Sequence, residues 1–229
     1  MQKVKISIII PVLNEGRNIS KTVLAAQNAV DVEVILVDGG SKDETVEIAK
    51  SLGVKVLISP RGRAIQMNAG AAIATGNILL FLHGDTILPA NFELMIWEAI
   101  QKPEIVGGAF ELAIDAKVKG IRLVEMMVNL RSHFLSLPYG DQAIFVKAEI
   151  FNKNGGFPIL PIMEDFVFIQ QLRNTRKLAI INTPVITSGR RWQQLGIVKT
   201  TLINQLVILG YYLGVPPEKL ATFYRKKRN

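Results

Sequence analysis

The 229-residue sequence contains no cysteine, which excludes disulfides, thiolate metal sites and cysteine nucleophiles. Aromatic residues are few, 7% of the chain, and the basic residues are dispersed except near the C-terminus. A stacking platform for nucleic acid is therefore not expected. No uninterrupted run of about 20 apolar residues is present, so a membrane-spanning helix is not expected either. A secretory leader is not expected at this N-terminus, because the apolar run after Lys3 and Lys5 is broken early by Pro11 and no small-residue cleavage site follows. The Gly-rich dinucleotide fingerprint and the P-loop are both missing, and Glu15 stands where a pyrophosphate would otherwise approach the first strand-to-helix turn. There is no internal repeat, low-complexity tract or flexible linker. These absences leave an ordered protein, and a cytoplasmic one is expected, at most peripheral at the inner face of the membrane.

What is present is a chain that is 49% apolar and 20% charged, with a net charge of +8 that favours anionic partners. Four short apolar runs have the length and composition of strands buried on both faces: Ile6 to Val12, Glu33 to Val37, Val54 to Ser59 and Ile78 to Leu82. Helical patterns separate them, over Asn18 to Val30, after a Ser41/Glu44 capping box, and over Arg63 to Thr75. The order β-α-β-α-β-α-β predicts an α/β fold with a doubly wound, mainly parallel sheet.

After Lys102 the pattern changes. A strand is expected over Gly107 to Ile114, a long helix over Val118 to Leu137, a strand over Gly140 to Val146 and a helix over Met163 to Arg173. An apolar helix over Ile197 to Leu213 and an amphipathic turn from Pro216 into Arg225, Lys226, Lys227 and Arg228 close the chain. The expected organisation is one domain over 1–195, in two halves (1–100 and 101–195), and a helical appendage over 196–229. The apolar helix has Asn204 and Gln205 at its centre, so it packs on the domain or a second copy, or docks peripherally on a membrane with the basic tail on anionic lipid.

Ligands of open α/β sheets bind beyond the carboxyl ends of the strands. Here those ends carry Glu15, Asp38 and Asp85. Carboxylates collected at one rim repel unless a cation or hydrogen-bond donors occupy the space between them. Each could instead serve as a separate turn or cap residue.

The stretches ISIIIPVLNEGRNI, ILVDGGSKDET and RGRAIQMNAGAAIATGNILLFLHGDT, in this order and spacing, resemble family 2 glycosyltransferases, whose fold is GT-A. The likeness continues more loosely through GDQAIFV, GGFP and MED, as in a small bacterial subgroup. It implies that Pro11, Leu13 and Glu15 line a base and ribose pocket, and that Asp38 accepts a hydrogen bond from the base. Gly39 then allows close backbone approach, Arg63 approaches the diphosphate and Gln66 borders the pocket. Asp85 would ligate Mg2+ or Mn2+. The family's Asp-x-Asp is here His83-Gly84-Asp85, so His83 either contacts ribose, lies near the ion, or is satisfied by backbone. Asp165 is the implied base and Glu164 its orienter or an acceptor ligand; a helix cap is the alternative reading of the pair. Asp141 and Gln142 would face the acceptor. Arg191 would approach a phosphate and Trp192 an acceptor, in an incomplete version of a motif associated with processive enzymes.

The reading implied is an inverting, non-processive transfer of a sugar from a nucleoside-diphosphate sugar, UDP by default, to a hydroxyl or carboxyl acceptor, lipids and isoprenoids included. A catalytically impaired nucleotide-sugar binder is one rival, since His83 breaks the metal motif. A sugar-phosphate nucleotidyltransferase is another, disfavoured because L-N-E-G replaces the basic glycine-rich loop that a triphosphate needs.

Overall fold

The computed structural model describes residues 5–226; Lys3, Lys227 and Arg228 of the reading above lie outside them. The first half follows the expected alternation: β1 (Ile6–Val12), α1 (Ile19–Gln27), β2 (Val32–Asp38), α2 (Thr45–Ser51), β3 (Lys55–Ile58), α3 (Arg63–Ala72) and β4 (Ile78–Phe81). Then come β5 (Thr86–Ile87), α4 (Phe92–Ile100), β6 (Ile105–Asp115), α5 (Ile121–Leu135), β7 (Ile144–Lys147), α6 (Ala148–Lys153), α7 (Glu164–Thr175), β8 (Lys177–Ser188), α8 (Arg190–Leu195), α9 (Ile197–Tyr212) and α10 (Pro217–Lys226).

Among the described residues the strands form one eight-stranded sheet in the order β3-β2-β1-β4-β7-β6-β8-β5. β3, β2, β1 and β4 are parallel, and β7 pairs antiparallel with both β4 and β6. β8 runs parallel to β6 and antiparallel to β5, across a register shift at Phe110/Glu111. The period-two pattern of β1 explains why its apolar run is continuous. Ile8 and Ile10 pack toward Ile19 and Val23 of α1, while Ile9 faces Ala64 and Met67 of α3. Both faces are thus covered. A further cluster joins Phe166 and Ile169 of α7 to Val207 of α9 and Ala109 of β6, with Phe223 of α10 at its border.

Three expectations need correction. Ser41 and Glu44 form no capping box; α2 begins at Thr45 without a side-chain cap, and the Ser41 hydroxyl instead accepts from the Asn14 amide at 2.8 Å. The strand expected over Gly140 to Val146 is a short 3-10 turn, Gly140–Gln142, followed by β7, because Ala143 between them adopts a left-handed conformation with φ 50°. β8 was not anticipated, since Asn182, Thr183 and Pro184 interrupt its apolar pattern at the register shift.

Candidate functional site

The chain reverses direction along the sheet between β1 and β4, so a crevice opens beyond the carboxyl ends of these two strands. The loops bordering it are laced together. The Asn14 carboxamide accepts from the Lys42 amide at 2.8 Å, the Asp43 carboxylate accepts from the Gly16 amide at 3.1 Å, and the Glu15 amide donates to the Thr45 hydroxyl at 2.8 Å. The Thr45 hydroxyl and the Gly16, Thr45 and Asp43 amides hold the Asp43 carboxyl below its ordinary value. Asn14 takes φ 55° at the apex of the first loop, where an asparagine tolerates the left-handed region.

Asp38 ends β2 and is buried. Its Oδ2 accepts from the Gly40 and Ser41 amides at 2.8 and 2.9 Å, while Oδ1 finds no hydrogen-bond partner among the described residues. An unpartnered buried acceptor costs about 1–3 kcal/mol unless a ligand donor satisfies it. Pro11 and Leu13 are half-buried around the same strand end. Gln66 differs from expectation: it is buried, and its Nε2 donates to the carbonyls of Val12 and Val37, each at 2.8 Å. It is a strut under the pocket, not part of its border. Gly39 leaves room for that strut, since a Cβ there would lie 3.0 Å from Gln66 Oε1.

Glu15 and Asp85 meet across the crevice through a residue the sequence had not singled out. Arg190, at the start of α8, places Nη2 3.0 Å from Glu15 Oε1, 2.9 Å from Glu15 Oε2 and 3.0 Å from Asp85 Oδ2. Gly84 between them is buried, and its carbonyl accepts from the Thr22 hydroxyl at 3.1 Å. The rim repulsion expected from sequence is therefore relieved by a guanidinium.

A second cluster lies alongside. Arg63, at the start of α3, donates through Nε to Glu164 and sits 3.8 Å from Asp165 Oδ1 through Nη2 and 3.5 Å from His83 Nε2 through Nη1. Met163, with φ 71°, turns Glu164 and Asp165 into the first turn of α7. Asp165 Oδ2 accepts from the Gly140 amide at 2.7 Å and Oδ1 from its neighbour Phe166 at 2.8 Å. Burial alone would raise the Asp165 carboxyl, but Arg63, these two amides and His83 outweigh it and hold the group below its ordinary value. Burial and the Arg63 charge push His83 down to about 4, so its imidazole is neutral near pH 7. Asp141 goes the other way: burial, reinforced by the Asp165 charge, pushes it up to about 6 against the pull of Arg131 and Arg63. Its Oδ1 is buried without a hydrogen-bond partner among the described residues. The site thus holds two half-buried carboxylates with opposed proton affinities, the usual arrangement where proton transfer is required.

Three expected site residues lie elsewhere. Gln142 is buried, with its carbonyl oxygen accepting from Arg131, Ser132 and the Tyr139 amide and its nitrogen donating to the Phe110 carbonyl, so it serves the scaffold and is closed off from an acceptor. Arg191 stacks its guanidinium 4.1 Å from the centroid of the Tyr224 ring in α10. Trp192 packs on the core cluster under β1 and α1. The segment of Arg191 and Trp192 does reach the site, through the residue before them, Arg190. Helical rotation after β8 fixes which of the two arginines faces the carboxylates, and no sequence signal decides that.

An open α/β sheet with carboxylates at its switch point and an acidic helix start facing them has the GT-A architecture. Residues 7–156 match the family model Glycosyl transferase family 2, and the chain belongs to that family. A PGL/p-HBAD biosynthesis glycosyltransferase of Mycobacterium bovis is 42% identical over 91 residues, 36% of each chain. An uncharacterized glycosyltransferase of Nostoc sp. is 30% identical over 119 residues, 48% of this chain and 37% of that one. The matches therefore span little more than a third of these relatives' length. Among solved structures, S. aureus TarS residues 1–349 in complex with UDP superpose with a TM-score of 0.66 at 16% identity, covering 80% of this chain and 60% of that one. Mycobacterium tuberculosis glucosyl-3-phosphoglycerate synthase in complex with Mn2+, UDP and phosphoglyceric acid gives 0.65 at 20% identity, covering 93% and 80%. At these identities the structural likeness establishes the fold.

Proposed function

We propose that this protein transfers a sugar from a nucleoside-diphosphate sugar, with UDP as the default carrier, to a hydroxyl or carboxyl acceptor by a single inverting displacement. The carrying observation is the convergence of a free buried acceptor, Asp38 Oδ1, an Arg-bridged Glu15–Asp85 pair and the Arg63–Glu164–Asp165–Asp141 cluster at one end of one sheet. In this reading residues up to 100 hold the donor and 101–195 present the acceptor, with 196–229 as the helical appendage. Asp38 Oδ1 accepts from the base, as uracil N3–H would require. Arg190, adjacent to Asp85, shifts onto the diphosphate as it arrives.

No group of three or more His, Asp or Glu side chains among the described residues could hold a metal ion. Asp85 offers one carboxylate, and a hard cation that draws its other ligands from donor phosphates and water fits such a site. Mg2+ or Mn2+ bound there would neutralise the leaving diphosphate. His83, neutral and engaged with Arg63, stands near this carboxylate in sequence.

The acceptor O–H then loses its proton to Asp165, or to Asp141 acting with it. The freed oxygen forms the bond to the anomeric carbon while the bond to the diphosphate oxygen breaks and the nucleoside diphosphate leaves with the electron pair. Glu164, fixed by Arg63, keeps the start of α7 in place. Thermal shift against UDP-, GDP- and dTDP-sugars, with and without Mn2+, tests the donor half; no shift with any of them removes the reading. Inverted anomeric configuration of the product, read by NMR, tests the mechanism.

A further inference from the structure

Two helices outside the site expose apolar stripes. On α5, Leu123, Met126, Met127, Leu130 and Phe134 recur at i, i+3, i+4, i+7 and i+11, all exposed, with Phe134 at 80%. The opposite face of the same helix is the packed one: Ile121, Glu125 and Ser132 are buried, with the Glu125 carboxylate on the Ile114 amide. On α9, Val198, Leu202, Leu206 and Leu209 are exposed, and Leu213 just beyond the helix end extends the stripe, while Thr200, Ile203 and Val207 face inward.

The two helices lie on one side of the molecule. A Cβ on Gly120, at the start of α5, would stand 3.4 Å from Ile197 Cδ1 at the start of α9. Their far ends meet one turn of α7, where Arg173 donates to the Leu135 carbonyl at 2.6 Å and Gln170 to the Tyr212 hydroxyl at 3.3 Å. An ordinary monomer surface rarely leaves a contiguous apolar patch beyond roughly a few hundred Å².

Charge distinguishes the possible occupants. Among the described residues after Gly196, Lys199, Lys219, Arg225 and Lys226 are exposed against one acid, Glu218. Lys199 stands on α9 itself; Arg225 and Lys226 end α10, which packs on α9 through Leu220 beside Gly210. Two copies joined through this side would bring two basic rims together, whereas anionic lipid headgroups complement both the rim and the stripes. Among the described residues no helix is long and apolar enough to cross a membrane, so contact with lipid here is interfacial.

We propose that the α5–α9 side, with its basic α10 border, docks on the surface of an anionic lipid bilayer. This inference does not depend on the transfer reaction. Co-sedimentation of the full chain with phosphatidylcholine vesicles, with and without phosphatidylglycerol, tests it. Binding is expected to be at least about tenfold stronger to the anionic vesicles and to weaken with salt, as a few Lys or Arg near the surface require. Phe134→Asp and Leu209→Asp, both at exposed positions, should each cut that binding about tenfold while leaving the circular dichroism spectrum and Tm unchanged. Binding to neither vesicle, equal binding to both, or variants that bind as well as the parent would overturn the proposal. So would a dimer in light scattering that Leu209→Asp dissociates while vesicles bind nothing.

Discussion

Arg190 is where one side chain decides most. It neutralises Glu15 and Asp85 at once, yet its side chain is 46% exposed, so solvent screening limits what the pairs add to stability. In the proposed function its weight lies in binding the donor diphosphate. Arg190→Ala should weaken binding of UDP without metal by about tenfold, the scale of one charge-assisted hydrogen bond. The same change should strengthen Mn2+ binding by the free protein, because the competing cation has gone; titration calorimetry with each ligand alone reads both. Asp165→Asn should lower kcat by about 10²–10⁴-fold and leave the donor-induced thermal shift intact. Asp141 gives a pH signature. Its folded value of about 6 lies above the ordinary 3.8, so the folded state holds this proton more tightly. Stability from that source is present below pH 3.8 and is lost as pH rises to 6. Asp141→Asn should therefore raise Tm at pH 7.5, by up to about 3 kcal/mol in stability, with little change at pH 4. On the acid side, kcat/KM of the parent should fall with an apparent pKa near 6, as Asp141 takes up its proton.

At the scale of elements, the site depends on how strand ends and helix starts are fixed to one another. Gly140 brings its backbone between α7 and β4: a Cβ there would sit 2.7 Å from Asp165 Oδ2 and 3.1 Å from His83 Nε2. Gly140→Ala should displace Asp165 and reduce kcat by more than it changes KM for the donor, with a near-native Tm. Gln66 joins the ends of β1 and β2 by two buried hydrogen bonds. Gln66→Leu removes both bonds, leaving the Val12 carbonyl only its 3.0 Å bond from the Gly39 amide, and should cost on the order of 1–3 kcal/mol by urea unfolding. The four parallel strands and their crossover helices were legible in sequence because buried strands of a parallel sheet are apolar on both faces. β8 was not, because its irregular centre at Pro184 hides the period. That omission also hid Arg190, whose position is set by where β8 stops.

For the whole molecule, donor binding should be visible as stabilisation. A UDP-sugar at about 100 times its Kd adds about 2.7 kcal/mol, or roughly 5–10 °C in Tm for a chain of this size. The chain's charge is equally a property of the whole. Its excess lies almost entirely beyond Gly189, in the segment that includes α9 and its exposed stripe. The sequence by itself determined the α/β alternation and the placement of Glu15, Asp38 and Asp85 at strand ends, since hydrophobic period and turn chemistry are local. It also carried the family likeness of the donor half. Only the tertiary structure decided that Gln66 and Gln142 serve the scaffold, and that Arg190 rather than Arg191 meets the carboxylates. Only the tertiary structure, likewise, set the proton affinities of Asp141 and Asp165 apart. Those outcomes depend on burial and on partners 20 to 175 residues away, from Arg63 beside His83 to Arg190 on Glu15, which no local pattern encodes.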